Sequence, residues 1–191
     1  MDIRNIIEKE KLNLVYGEAA VGKTTLALQY SLSQKNKIIF IDVEKTASVE
    51  RLKQLGGDFK DIIFFKPKNL EEQSKIIFNI DKISNVSLIV IDTLGYFYRT
   101  RVNKDVKYAN NLLARQLKNL KDFTRKGITV IISNQVYSDM ENNIKVVGGN
   151  MVRNWSDRII QMTKEPRKII VEKPNNEEYL FEIVNKGIIF S

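Results

Sequence analysis

The chain has 191 residues, 43% of them hydrophobic and 28% charged, which suits one domain with a sizeable core and is too short for two ordinary ones. It contains no cysteine and no histidine, so disulfides, thiol nucleophiles, zinc sites built on those residues and imidazole bases are all excluded. The formal net charge of +8 favours a polyanionic partner, although a soluble lysine-rich surface has the same balance. No apolar run approaches the roughly 18 residues of a membrane span, and Met1-Asp2-Ile3-Arg4 has no signal-peptide pattern. A cytoplasmic protein with no membrane partner is expected.

The first element is a short apolar strand over 12–16, followed at once by Gly17-Glu18-Ala19-Ala20-Val21-Gly22-Lys23-Thr24-Thr25 and a helical stretch over 25–30. The first eight of these residues fit G-x-x-x-x-G-K-[ST]. Strand, glycine loop and helix in that order let backbone N–H groups wrap a phosphate at which the helix N-terminus points. Lys23 would reach the β- and γ-phosphates of ATP, and the Thr24 hydroxyl would bind Mg²⁺.

Further apolar runs over 37–42, 62–66, 87–92 and 128–133 are continuous, as in parallel strands buried on both faces. Helical patterns fill the gaps. One starts near Thr46 and ends before Gly56-Gly57, and another takes Asn69 as N-cap with Glu72 three residues on. The longest runs from about Asp105 to Lys126, with Ala109, Leu112, Leu113, Leu117, Leu120 and Thr124 at helical spacing. After residue 155 three strands are expected, over 157–162, 168–171 and 179–184, including an antiparallel pair at one sheet edge. The expectation is one α/β domain over 1–191: a doubly wound, mostly parallel sheet of the P-loop NTPase type with antiparallel edge strands at its C-terminal end.

Four features fall at strand ends, where such a sheet forms its ligand crevice. Asp92 closes an apolar strand; holding the Mg²⁺ shell is one role, and capping a helix after Thr93 and Gly95 is the other. Glu44 could orient the water that attacks a γ-phosphate, in competition with Asp42 and Glu18. Gln135 could report nucleotide state through its amide, or simply cap a loop. Residues 95–104, followed by Lys107, interleave Tyr96, Phe97 and Tyr98 with Arg99, Arg101 and Lys104. Such a segment suits single-stranded nucleic acid, where rings stack on bases and cations hold phosphates; a core aromatic cluster is the alternative.

In order, these motifs resemble the ATPase core of the RecA/RadA strand-exchange family, and most closely its single-domain archaeal RadA paralogues of RadB-like or aRadC-like type. The resemblance runs from about Leu12 to Ile188. Phe40-Ile41-Asp42-Val43-Glu44, with Glu50-Arg51-Leu52 beyond it, is similar to the family's second motif. It implies that Glu44 positions the attacking water and that Arg51 stacks on adenine. Tyr98-Arg99-Thr100 is similar to the start of the first DNA-binding loop. Ser133-Asn134-Gln135-Val136 resembles the nucleotide-sensing motif, making Gln135 a switch. The second DNA-binding loop would then run from Tyr137 to Val147, with Lys145 beside Asp139 and Glu141. Lys173-Pro174 falls where family members cap a neighbouring subunit's ATP, and Lys-Pro is also an ordinary turn.

The departures carry expectations too. About eleven residues precede the first strand and no Phe-x-x-Ala occurs, so the family's N-terminal helical domain and its filament-docking segment are not expected. Asn154 stands where recombinases carry a relay histidine, so strong autonomous strand exchange is not expected. The resemblance implies a weak Mg²⁺-dependent ATPase that binds single-stranded DNA, assists a main RadA-type recombinase in repair and can form a homo-oligomer. A nucleotide-gated adaptor without hydrolysis and a KaiC-like signalling ATPase are the alternatives.

Overall fold

The computed structural model describes residues 2–138 and 144–191. After a short 3-10 turn, β1 (Leu12–Gly17) leads through the glycine loop into α1 (Lys23–Leu32), then β2 (Lys37–Asp42), α2 (Val49–Leu55) and β3 (Ile62–Phe65). Next come α3 (Leu70–Phe78), β4 (Val86–Asp92), α4 (Gly95–Val102), α5 (Val106–Thr124) and β5 (Thr129–Asn134). A hairpin of β6 (Val136–Ser138) and β7 (Ile144–Val146) precedes α6 (Gly149–Trp155), and β8 (Arg158–Lys164), β9 (Arg167–Lys173), β10 (Glu177–Val184) and β11 (Gly187–Phe190) close the chain.

The main sheet has nine strands in the order β11-β10-β9-β8-β1-β5-β4-β2-β3. From β8 through to β3 all neighbours are parallel, and β9, β10 and β11 add antiparallel pairs on the other side. Alternate side chains of a strand point to opposite faces, and β4 demonstrates it. Leu88 and Val90 join the core that holds Leu26, Ala27 and Leu28 of α1 and Leu52 of α2. Ile89 and Ile91 join the opposite core with Ile77 of α3 and Leu113, Leu117, Leu120 and Phe123 of α5. Two buried faces explain why these strands read as continuous apolar runs.

The helix ends follow the side-chain chemistry. Asn69 accepts from the Glu72 N–H at 2.8 Å, and Asp105 accepts from the Tyr108 N–H at 2.9 Å. Three expectations need correction. The helix expected near Thr46 begins later, because Ser48 is the residue whose hydroxyl accepts from the Arg51 N–H and caps α2; residues 43–47 are thereby left outside the helix. The C-terminal region has four strands, with β8 parallel to β1, and short β11 lies hidden behind Asn185-Lys186. Residues 95–102 are helical, although the resemblance placed the start of a DNA-binding loop at Tyr98. That stretch holds no proline, and Phe97 and Tyr98 pack against the α3/α5-side core. Among the described residues no helix is long and apolar enough to cross a membrane.

Candidate nucleotide site

The glycine loop leaves β1 at the C-terminal edge of the sheet. A Cβ on Gly17 would lie 2.2 Å from the Met162 carbonyl oxygen of neighbouring β8, so only glycine admits this approach. Gly22 caps α1 with φ +111, and a Cβ there would lie 2.7 Å from Ile183 of β10. The first N–H groups of a helix have no intrahelical partner, so the α1 N-terminus, opening directly from this loop, is suited to an anion.

A cavity of about 600 Å³ opens over the loop, and its walls include Lys23, Thr24, Glu44, Asp92 and Gln135. Lys23 is buried, and its ammonium donates to the carbonyls of Gly17 at 2.9 Å and Glu18 at 2.6 Å. Burial lowers the Lys23 pKa, while the charges of Asp92, Glu44 and Glu18 act against that fall. A phosphate in the cavity would act in the same sense as those carboxylates.

Asp92, only 2% exposed, accepts from the Thr24 hydroxyl at 2.6 Å and from the Ser133 hydroxyl. It caps no helix, since the residue preceding α4 is Leu94. The chemistry of this pair fits magnesium: one hydroxyl and one carboxylate from the chain, with phosphate and water for the remainder of an octahedral shell. Behind it, Gln73 donates to the Leu94 carbonyl and to Gln116, and Gln116 donates to Ser74. This buried polar tie between α3 and α5 holds the β4–α4 junction in place.

The Val43 N–H donates to the Asp92 carbonyl at 2.7 Å, carrying the chain past β2 so that Glu44 faces the cavity. Nε2 of Gln135 donates to both carboxylate oxygens of Glu44, at 2.9 Å each. The rival carboxylates are elsewhere. Asp42 is fully buried outside the cavity wall, and Glu18 is exposed and lines a separate depression.

Of the expected loop residues, Gly17 and Glu18 line the neighbouring depression and Val21 is buried in the core, and the two expected residues beyond the loop are not brought to the cavity. Arg51 donates to the carbonyls of Val184 and Asn185 and to Gln54, tying α2 to the β10–β11 turn. Lys173 donates to the Ser156 carbonyl at 2.7 Å. It pairs with Ile159, three residues before the Met162 that stands beside Gly17. Within one protomer, then, Lys173 lies toward the end of the sheet remote from the loop. Arg167 and Ile183 line the cavity from β9 and β10 and were not anticipated. The available signal was that Arg167 continues the alternation of core residues Ile169 and Val171.

The DNA candidates divide between two concavities. Tyr98 and Arg99 share one with Tyr137, Val147, Gly148 and Gly149, which brings α4 beside the β6–β7 hairpin. Arg99 is exposed, and Tyr98 donates to Asn110 at 2.7 Å. Arg101 and Lys104 line the other with Tyr96. Arg101 is engaged there by Glu71 at 3.4 Å and by the Tyr108 ring at 4.6 Å. Lys107 and Lys145 are exposed, on α5 and β7 respectively. Asp139 and Glu141 lie outside the described residues. Asn154 is exposed on α6. That helix is anchored by Arg153, which donates to Glu172 at 2.6 Å; Glu172 also accepts from Tyr16, whose phenol is pushed up to about 12 by burial and then by that bond.

Comparison with known proteins identifies the family and the fold. The family model for the RecA N-terminal domain matches residues 6–185. The chain is similar to the DNA repair and recombination protein RadB of Methanococcus maripaludis, 33% identical over 95% of this chain and 92% of the relative. It is likewise similar to RadB of Methanocaldococcus jannaschii, 32% identical over 95% and 93%, and of Methanococcoides burtonii, 36% identical over 78% and 72%. A crystal structure of the RadB recombinase superposes with a TM-score of 0.80, at 29% identity over 97% of this chain and 94% of that one. With the family model spanning nearly all of its length, and RadB relatives doing so at a third identity, this chain belongs to the RecA family, among its RadB members.

Proposed function

We propose that this protein binds Mg²⁺-ATP on its glycine loop, hydrolyses it slowly, and uses the nucleotide to control a single-stranded DNA surface while assisting a RadA-type recombinase in DNA repair. The relatives, named for DNA repair and recombination, support the recombination role over the signalling-ATPase alternative. The observation that carries the mechanism is the Glu44–Gln135 contact. It joins a carboxylate beside the phosphate loop to the residue that immediately precedes the β6–β7 hairpin.

Lys23 and the α1 N-terminus bind and orient the phosphates, while Thr24 and Asp92 would hold magnesium, which supplies neutralisation of phosphate charge when bound. The Glu44 carboxylate accepts a hydrogen bond from the attacking water and aligns it. The Gln135 amide, now committed to Glu44, is the group free to exchange partners when a γ-phosphate enters, and Val136 and Tyr137 follow it directly. Tyr98, Arg99 and Tyr137 form the DNA-facing concavity, with Arg101, Lys104, Lys107 and Lys145 as flanking cations. Lys173 toward a neighbouring subunit's ATP and self-association belong to the same proposal, whereas Arg51, held by the Val184 and Asn185 carbonyls, is left out of it.

Steady-state phosphate release with and without single-stranded DNA tests it, with Glu44→Gln as the blank. Release that DNA stimulates and the variant abolishes is expected. Release indifferent to DNA, or none above the blank, would instead favour a nucleotide-gated adaptor that docks on the recombinase.

A further inference from the structure

Arg167 lines the nucleotide cavity and has no role in the mechanism described above. Its strand neighbours at alternate positions, Ile169 and Val171, lie in the core with Leu26, Ala27 and Leu28 of α1. Arg167 therefore projects on the α1 side of the sheet, and it does so beyond the level at which Met162 pairs with both Gly17 and Ile169. That position is the mouth of the phosphate loop, and Arg167 lines the same cavity as Gly22, Lys23 and Thr24.

Its guanidinium nitrogen Nη1 is buried and has no hydrogen-bond partner among the described residues. Most of the other arginines are accommodated, although Nε of Arg101 is likewise buried without a hydrogen bond and has only the 3.4 Å ion pair to Glu71. Arg4, Arg101, Arg125 and Arg153 have acidic partners, Arg51 and Arg158 donate to carbonyls, and Arg115 sits over the Phe78 ring. Arg99 has no partner among the described residues but is exposed to water. A buried charged donor without an acceptor is costly, and native structures tolerate one where a ligand completes it. A planar fork of donors beside an ammonium and a helix N-terminus matches a polyphosphate, not a neutral group.

The geometry points to Arg167 as a second cationic phosphate ligand, supplied in cis from the β8–β9 hairpin, that grips the nucleotide's polyphosphate opposite Lys23. This rests on the reading of the glycine loop as a nucleotide site. It adds that one protomer carries two phosphate cations of its own, Lys23 and Arg167. It also makes the C-terminal hairpins part of the nucleotide site.

The test is equilibrium binding of Mg²⁺-ATP, ADP and inorganic tripolyphosphate to wild type, Arg167→Ala, Arg167→Lys and Lys23→Ala, with thermal melts of each. Arg167→Ala should weaken ATP and tripolyphosphate alike by about tenfold to a hundredfold, the usual range for losing a hydrogen bond to a charged group. Arg167→Lys, which keeps the charge and the strand, should fall between and guards against a folding defect. Weakened ATP with unchanged tripolyphosphate would move Arg167 to the base or ribose and overturn the inference. Unchanged binding of both, alongside loss in Lys23→Ala, would overturn it too. If Lys23→Ala also binds like wild type, the nucleotide-site reading itself fails.

Discussion

Replacing Asp92 separates what its carboxylate does for the fold from what it does for the metal. The side chain is 2% exposed and accepts two hydroxyls, those of Thr24 and Ser133. Asp92→Ala removes both acceptors. Thr24 is half-buried and can turn to water, but Ser133 is fully buried and keeps only the Thr93 hydroxyl at 3.3 Å. With each hydrogen bond to a charge contributing about 1.5–3 kcal/mol, and relief of the buried charge offsetting part of it, a net loss of about 2–4 kcal/mol is expected. For a chain of this size that lowers Tm by roughly 5–15 °C. Asp92→Asn keeps one acceptor and gains a donor that either hydroxyl oxygen can take, so its stability should stay within about 1 kcal/mol of wild type. Both variants should lose the magnesium-dependent part of ATP affinity, by about 10–100-fold. Urea unfolding without nucleotide and ATP titrations at varied Mg²⁺ read the two effects separately. An Asp92→Ala variant as stable as wild type, or an Asp92→Asn variant with its magnesium dependence intact, would refute the reasoning.

Asp42 gives a pH-dependent expectation. Burial raises its pKa above the ordinary 3.8, against the N–H groups of Thr46 and Ala47 and the charge of Lys66. The folded state thus holds this proton more tightly, so the group favours folding at low pH and that contribution is lost as pH rises through the folded value. Asp42→Asn should therefore be the more stable protein at pH 7, with the gap closing toward about pH 4 in urea melts; an offset independent of pH would contradict this. Arg99→Ala should weaken single-stranded DNA binding and flatten its salt dependence by about one phosphate contact, whereas Arg101→Ala, which breaks the Glu71 and Tyr108 contacts, should chiefly lower Tm. Equal effects of the two on DNA affinity would mean that α4 presents both. Arg51→Ala should cost about 0.5–1 kcal/mol by freeing the β10–β11 turn and leave ATP affinity nearly unchanged. A large affinity loss for ATP but not for tripolyphosphate would instead establish Arg51 at the base.

The phosphate loop was legible in the chain because its function is local: glycine at 17 and 22, Lys23 and Thr24 act within one strand-turn-helix. The parallel strands were legible because burial on both faces leaves continuous apolar runs such as Leu88-Ile89-Val90-Ile91. Spacing alone left Glu44 in competition with Asp42 and Glu18 and only the resemblance favoured it; that Glu44 faces the cavity depends on the β2–β4 register and on Ser48 starting α2 late enough to leave Glu44 outside the helix. The helical state of residues 95–102 needed the tertiary structure, because packing of Phe97 and Tyr98 on the core decides between loop and helix. Arg167 is the extreme case. It lies 144 positions after Lys23 with no local signal linking the two, and only the pairing of β8 with β1 and β9 brings a C-terminal hairpin to the loop. Local backbone chemistry is written in short spacings; convergence of distant side chains on one anion is a property of strand order and register, which spacing does not encode.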